Sequence, residues 1–117
     1  MTKETGKIGE QYAKKFLIKK KYKFITSNYH SRFGEVDLIF LDNQELVFVE
    51  VKTIRSIVFG DGIDALTNKK KEKLIKTSLY FLNTASKKQF RSWRIDLISV
   101  KLNYLNEIIK ITHLRNI

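Results

Sequence analysis

Two short segments carry acidic and basic residues at a spacing suited to metal-assisted phosphate chemistry. They are Gly34-Glu35-Val36-Asp37-Leu38-Ile39-Phe40-Leu41 and Glu45-Leu46-Val47-Phe48-Val49-Glu50-Val51-Lys52. If Asn43-Gln44 forms a two-residue turn, cross-strand partners have numbers of constant sum, so Asp37 faces Glu50 and Glu35 faces Lys52. Period-two alternation then puts all four on one face, continued by Ile39 and Phe48. Val36, Leu38, Phe40, Val47, Val49 and Val51 fall on the other. Carboxylates directly opposite each other repel, at a cost in apolar surroundings that a divalent cation would remove. Mg²⁺ is commonly held by one or two carboxylates with water and phosphate oxygens completing its octahedron, and Lys52 is one pleat away, in reach of the same phosphate. Phosphodiester hydrolysis needs such a lysine, to polarise a water or steady the charge that develops on phosphorus.

The same residues have a plainer reading. Glu35, Asp37, Glu50 and Lys52 could be the solvated face of an amphipathic hairpin, with Glu35 and Lys52 an ordinary cross-strand ion pair. Three features weigh against it: the charges interleave with apolar residues, the like-signed pair is juxtaposed, and the surrounding chain is basic.

The elements that must position these residues follow from periodicity. From Gly6 to Lys20, Ile8, Tyr12, Ala13, Phe16 and Leu17 recur at helical spacing with lysines opposite. Glu10 falls about 20° past Leu17 on this helix, at the margin of its buried face. Gly6 and Gly9 would let the helix approach a sheet and bring Glu10 toward the hairpin carboxylates, although a polar helix edge would account for Glu10 equally well. Three β-like runs follow, Tyr22 to Tyr29, Gly34 to Leu41 and Leu46 to Thr53, and read as a meander. Arg55 to Gly62 reads as a loop, after which Thr67 or Asp64 caps a helix to about Asn83 whose apolar face is Leu66, Leu74, Leu79, Phe81 and Leu82. Ser92 to Leu102 and Ile108 to Leu114 supply two more strands, joined by a turn at Asn103 to Asn106. The order α-β-β-β-α-β-β predicts an α/β (α+β) fold with a mixed central sheet flanked by helices.

The 117 residues, 43% hydrophobic and 30% charged, suit one compact domain over 1–117 and exclude the disordered and fibrous classes. Lys and Arg number 23 against 12 Asp and Glu, and the net charge of +11 points to polyanions, nucleic acid first. The absence of cysteine excludes disulfide frameworks, thiolate metal sites and cysteine nucleophiles. Neither a signal-like apolar stretch nor a run of about 20 apolar residues occurs, so the expectation is a cytoplasmic protein without a membrane partner.

Gly6-Lys-Ile-Gly9-Glu10-Gln-Tyr-Ala13, Asn28-Tyr29, Gly34-Glu35-Val36-Asp37-Leu38-Ile39, Val47-Phe48-Val49-Glu50-Val51-Lys52 and Phe59-Gly60-Asp61 resemble the YraN family of endonuclease-like proteins. The likeness continues in order through Ala65, Lys70, Leu74, Arg94-Ile95-Asp96-Leu97-Ile98 and His113, nearly the whole chain. It implies a restriction-endonuclease-like core similar to Holliday-junction resolvases, the PD-(D/E)xK nuclease pattern, Mg²⁺ or Mn²⁺ as cofactor, and endonuclease activity on DNA, branched or damaged. Carried over by residue, Asp37 and Glu50 are metal ligands, Lys52 the catalytic lysine, and Glu10 a further carboxylate near the metal. A symmetric homodimer is implied as well, supported in the sequence only by the apolar tail Ile108 to Ile117. Two departures bear on phosphate contacts. His30 stands where the family commonly has Arg, and the family's Lys-x-Arg after the third strand is here Lys52-Thr53-Ile54-Arg55.

The remaining cations assigned to nucleic acid are Arg32, Arg55 and Lys69, Lys70, Lys71 and Lys73. The four lysines open the second helix, where positive charge opposes the dipole and suits phosphate better than helix stability, although a solvated lysine face accounts for them equally well. Trp93 and Tyr80 read as core, His113 as a satisfied edge-strand histidine, and His30 as exposed loop. A non-catalytic nucleic-acid-binding module with the same fold is the alternative to a nuclease.

Overall fold

The computed structural model describes residues 2–57, 60, 66–84 and 90–117. Helix α1 runs Lys3–Lys19, and Thr2 caps it, its Oγ1 accepting the Thr5 amide at 3.2 Å. Strands β1 (Lys23–Ser31), β2 (Gly34–Asp42) and β3 (Glu45–Arg55) form the expected antiparallel meander. Helix α2 (Asn68–Thr84) then crosses to β4 (Ser92–Leu102), which lies parallel to β3, and β5 (Ile108–Leu114) returns antiparallel at the edge. The sheet order is β1-β2-β3-β4-β5, a mixed sheet with one crossover. No helix among the described residues is long and apolar enough to cross a membrane.

Each face of the sheet carries one helix. Ala13 and Leu17 of α1, with Ile8, Tyr12 and Phe16 beside them, pack on Leu38, Phe40, Val47, Val49, Ile98 and Val100. Leu74 of α2, with Ile75, Phe81 and Leu82, packs on Val36, Ile39, Leu46, Phe48 and Ile95. Both faces are therefore dry, which explains why β2, β3 and β4 read as nearly continuous apolar runs.

The turn at Asn43-Gln44 forms as expected, with Asp42 paired to Glu45 and Asn43 in the left-handed region at φ 55°. Thr67 caps α2, its Oγ1 accepting the Lys70 amide at 3.2 Å. The alternative cap Asp64 lies outside the described residues, as do Phe59, Asp61 and Ala65. Leu79 is half exposed rather than buried. It lies five residues, about 140° of helical rotation, from Leu74, while Ser78 occupies the buried stripe and bonds back to the Leu74 carbonyl.

Only Gly9 of the two helix glycines is needed for close approach. A Cβ there would meet Thr53 of β3 at 1.8 Å, whereas one at Gly6 would meet nothing within 4 Å. Gly9 is what allows α1 to lie against β3.

Candidate active site at the open end of β2 and β3

The β2–β3 ladder follows the constant-sum register from Asp42↔Glu45 to Leu38↔Val49 and stops there. Strict alternation fails at the same point. Leu38 and Phe40 face α1, but Val36 packs under α2 with Ile39 and Phe48. Residues 36 and 38 thus lie on opposite sides, and Asp37 is the residue at which the strand changes face. Its neighbour across β1, Asn28, has no ladder partner and sits at φ 51°, so both strands are irregular at one level. The expectation that Glu35, Asp37, Glu50 and Lys52 share one face is corrected for Glu35, while Asp37, Glu50 and Lys52 border one cavity. Glu35 is not paired to Lys52; its partners are Asn28, at 3.0 Å, and His30, at 3.8 Å.

Asp37 and Glu50 do come together. The Asp37 carboxyl is largely buried, hydrogen-bonds Glu50, and accepts the Val51 amide on Oδ2 at 2.8 Å. Burial pushes its pKa up to about 9, with the Glu50 hydrogen bond and charge acting in the same direction and the Val51 amide opposing them. Burial and the neighbouring Glu50 thus favour the protonated form of Asp37. Glu10 comes in from α1, within electrostatic reach of Asp37 and Glu35. Burial raises its pKa, Asn28 works against that shift by donating Nδ2 to Oε1 at 3.1 Å, and the negative charges of Asp37 and Glu35 add to it.

On the α2 side of this carboxyl group a cavity of about 270 Å³ opens, floored by Leu66, Leu74 and Leu97 and bordered by Glu35, Asp37 and Glu50. Lys52, Lys70 and Lys73 stand around it, and their ammonium groups make no hydrogen bond or ion pair among the described residues. Lys69 and Lys71 lie in the same first turn of α2 but outside the cavity lining. Arg32 is exposed with its guanidinium 4.9 Å from the Phe33 ring centroid. Arg55 is taken up by the fold. It donates to the Asn103 carbonyl at 2.9 Å, Asn106 Oδ1 at 2.7 Å and Thr5 Oγ1 at 3.1 Å, tying the β4–β5 turn to α1.

No group of three or more His, Asp or Glu among the described residues is set to hold a metal ion unaided. The donor set that exists is the Asp37–Glu50 pair, with Glu10 nearby. Two carboxylates suffice for Mg²⁺ when water and substrate phosphate supply the remaining oxygens. A cation between the two carboxyl groups would relieve the repulsion between them. The residues present therefore fit a divalent ion of that kind.

A second polar cluster has no counterpart among the expected site residues. Arg94 of β4, almost fully buried, donates to Glu45 at 2.7 Å, Asp42 at 3.1 Å, Asp96 at 2.9 Å and the Tyr22 hydroxyl at 2.9 Å. Asp96 also faces His113 Nε2 at 2.8 Å and accepts the Asn116 amide. Burial alone would raise the Asp96 pKa, but the bonds from His113, Arg94 and Asn116 outweigh it and hold the carboxyl below its ordinary range. This network joins the β2–β3 turn to β4 and β5. Glu45 lies five residues from Glu50, about 16 Å along the strand, so the network stands well away from the cavity. The charged pair Arg94-x-Asp96 in an otherwise apolar strand was the available signal. His113 is the satisfied edge-strand histidine expected. His30 belongs to β1, not to a loop, although it is exposed. Trp93 packs edge-on against Phe48, while Tyr80 is half exposed beside Phe33.

Comparison with known proteins bears on the whole of this arrangement. A family profile described as uncharacterised protein family UPF0102 matches residues 9–100. Among similar proteins are UPF0102 proteins of Caldanaerobacter subterraneus, 39% identical over 86% of this chain and 82% of its own length, and of Legionella pneumophila, 40% identical over 99% and 95%. Another, from Caldicellulosiruptor saccharolyticus, is 36% identical over 97% and 96%.

Proposed function

Starting from a chain that belongs to the uncharacterised UPF0102 family, we propose that it is a Mg²⁺- or Mn²⁺-dependent endodeoxyribonuclease of the PD-(D/E)xK type, acting in the cytoplasm on branched or damaged DNA. The observation that carries this reading is the juxtaposed, half-buried Asp37–Glu50 pair on a cavity bordered by three lysines that have no partner among the described residues. A purely structural surface would neutralise those carboxylates with the lysines; here the opposite charges stand apart around a cavity.

In this reading Asp37 and Glu50 hold the divalent ion, with Glu10 contributing from α1. When bound, the ion supplies positive charge to the scissile phosphate and a more acidic water. Lys52, two residues along β3 from Glu50 and on the same face, directs its ammonium at the reacting phosphate and steadies the charge that builds on its oxygens. Lys70 and Lys73 hold a neighbouring phosphate from the start of α2. Val51 keeps the Asp37 carboxyl oriented through its amide. A two-strand cut would need two such sites, so the reading includes a symmetric homodimer on DNA, which light scattering with and without DNA tests.

The deciding experiment assays the purified protein on linear, nicked, single-stranded and four-way-junction DNA, with Mg²⁺, Mn²⁺ or EDTA. Cleavage that requires the divalent ion and is abolished by Asp37→Asn supports the reading. Divalent-independent binding with no cleavage on any substrate replaces it with a non-catalytic nucleic-acid-binding module.

A further inference from the structure

The side-chain amide of Asn28 has two donor hydrogens, and both are spent on carboxylates of the same site. Nδ2 lies 3.1 Å from Glu10 Oε1 and 3.0 Å from Glu35 Oε1. Those carboxylates arrive from different elements, α1 and β2, and without a donor between them they would repel. Each keeps its second oxygen free of any hydrogen bond or ion pair among the described residues. The backbone of Asn28 contributes too. At φ 51° it leaves the β1–β2 ladder beside Asp37, the residue where β2 changes face. Asparagine is among the few residues that adopt this conformation without much strain.

We propose that Asn28 is a positioning residue, a two-pronged clamp that ties Glu10 to Glu35 and so gives Glu10 a fixed place beside the Asp37–Glu50 pair that would hold the divalent ion. The inference rests on the nuclease reading of Asp37 and Glu50 and adds to it the role of Asn28, which acts through Glu10. It explains why Glu35 turns away from Lys52. The clamp turns the Glu35 carboxylate toward Asn28 and Glu10, although Glu35 still borders the cavity. It also gives Glu10 a fixed place despite its location on a different element from the hairpin.

A left-handed residue could be asparagine for its backbone alone, and Asn28→Gly separates the two roles, because glycine keeps the conformation and loses the amide. Mn²⁺ affinity is measured by titration calorimetry for the parent, Asn28→Gly, Glu10→Gln and the double variant, with thermal unfolding recorded for each and kcat and KM for those that cleave. The expected result is a Mn²⁺ affinity about 10- to 100-fold weaker in Asn28→Gly, the scale of lost outer-shell partners, with near-parental unfolding. The double variant should bind no more weakly than Glu10→Gln alone, since the amide acts through that carboxylate. The loss should appear in kcat more than in KM for DNA. Parental Mn²⁺ affinity in Asn28→Gly, or losses that simply add in the double variant, overturns the clamp while leaving the nuclease reading intact. A parent that takes up no Mn²⁺ overturns both.

Discussion

Asp37 Oδ2 accepts the Val51 amide at 2.8 Å, beyond the last ladder pair of β2 and β3 at Leu38↔Val49. A side chain thus takes over a backbone donor where the strands separate. The separation makes room for a cavity, and the carboxyl that fills the gap is the one most disturbed by burial. Site and strand irregularity are one structural feature.

The first consequence concerns stability. The folded Asp37 pKa of about 9 lies above the ordinary value of 3.8, so the folded state binds more protons than the unfolded state between those limits. Stability from this group is therefore full below about pH 4, falls as pH rises, and is gone above about 9. Asp37→Asn keeps an acceptor for Val51 and removes the titration. The metal-free variant is expected to match the parent near pH 4 and exceed it by about 1–4 kcal/mol at pH 8, the range for replacing buried charged groups. Urea unfolding of both proteins across this range in EDTA checks it; a difference that does not grow with pH would refute the buried pair.

Metal uptake should release protons. At pH 7 Asp37, with its pKa pushed up to about 9, must give up its proton to admit a cation, so Mg²⁺ or Mn²⁺ affinity should rise with pH up to about 9. Calorimetry in two buffers of different ionisation enthalpy reads the proton count, expected to be near one in the parent at pH 7 and to fall toward zero at about pH 9.5 and above.

Lys52→Ala should separate chemistry from binding. Metal affinity is expected to stay, and turnover to fall by about 10²–10³-fold, the scale of one lost transition-state stabiliser. Single-turnover cleavage with saturating Mn²⁺ measures it. Equal losses in metal affinity and rate would place Lys52 in the fold of the site instead of in its chemistry.

Binding to DNA should be sequence-tolerant and steeply salt-dependent, because the net charge of +11 supplies phosphate contacts and no base-reading motif is visible. Lys70→Ala with Lys73→Ala should flatten the slope of log K against log salt by about 2 for duplex DNA. Fluorescence anisotropy between 50 and 200 mM salt checks both statements, and an unchanged slope would detach those lysines from phosphate.

Gly9→Ala should be costly despite the better helix propensity of alanine. Its Cβ would meet Thr53 Oγ1 at 1.8 Å, so α1 must shift or β3 distort, at about 1–3 kcal/mol. Gly6→Ala, with open space around it, should be neutral or stabilising. Thermal melts of the two variants give opposite signs if α1 lies on β3 as described.

Local order carried most of what the sequence by itself determined. Element order, the Asn43-Gln44 turn, the hairpin register as far as Leu38↔Val49, and the bounds of β4 and β5 all depend on neighbours a few residues apart, and periodicity and turn chemistry report those directly. That Asp37, Glu50 and Lys52 come together was legible for the same reason, since a tight turn brings them near. Tertiary structure alone decided where alternation breaks. Val36 changes face because α2 offers Leu74 as a packing partner there, and Glu35 follows it away from Lys52 to Asn28. It also decided that Gly9 and not Gly6 meets β3, that Arg55 is spent on Asn103 and Asn106, and that Arg94 gathers carboxylates from the β2–β3 turn. Each of these depends on residues dozens of positions apart competing for one buried space, and one-dimensional periodicity contains no term for that competition.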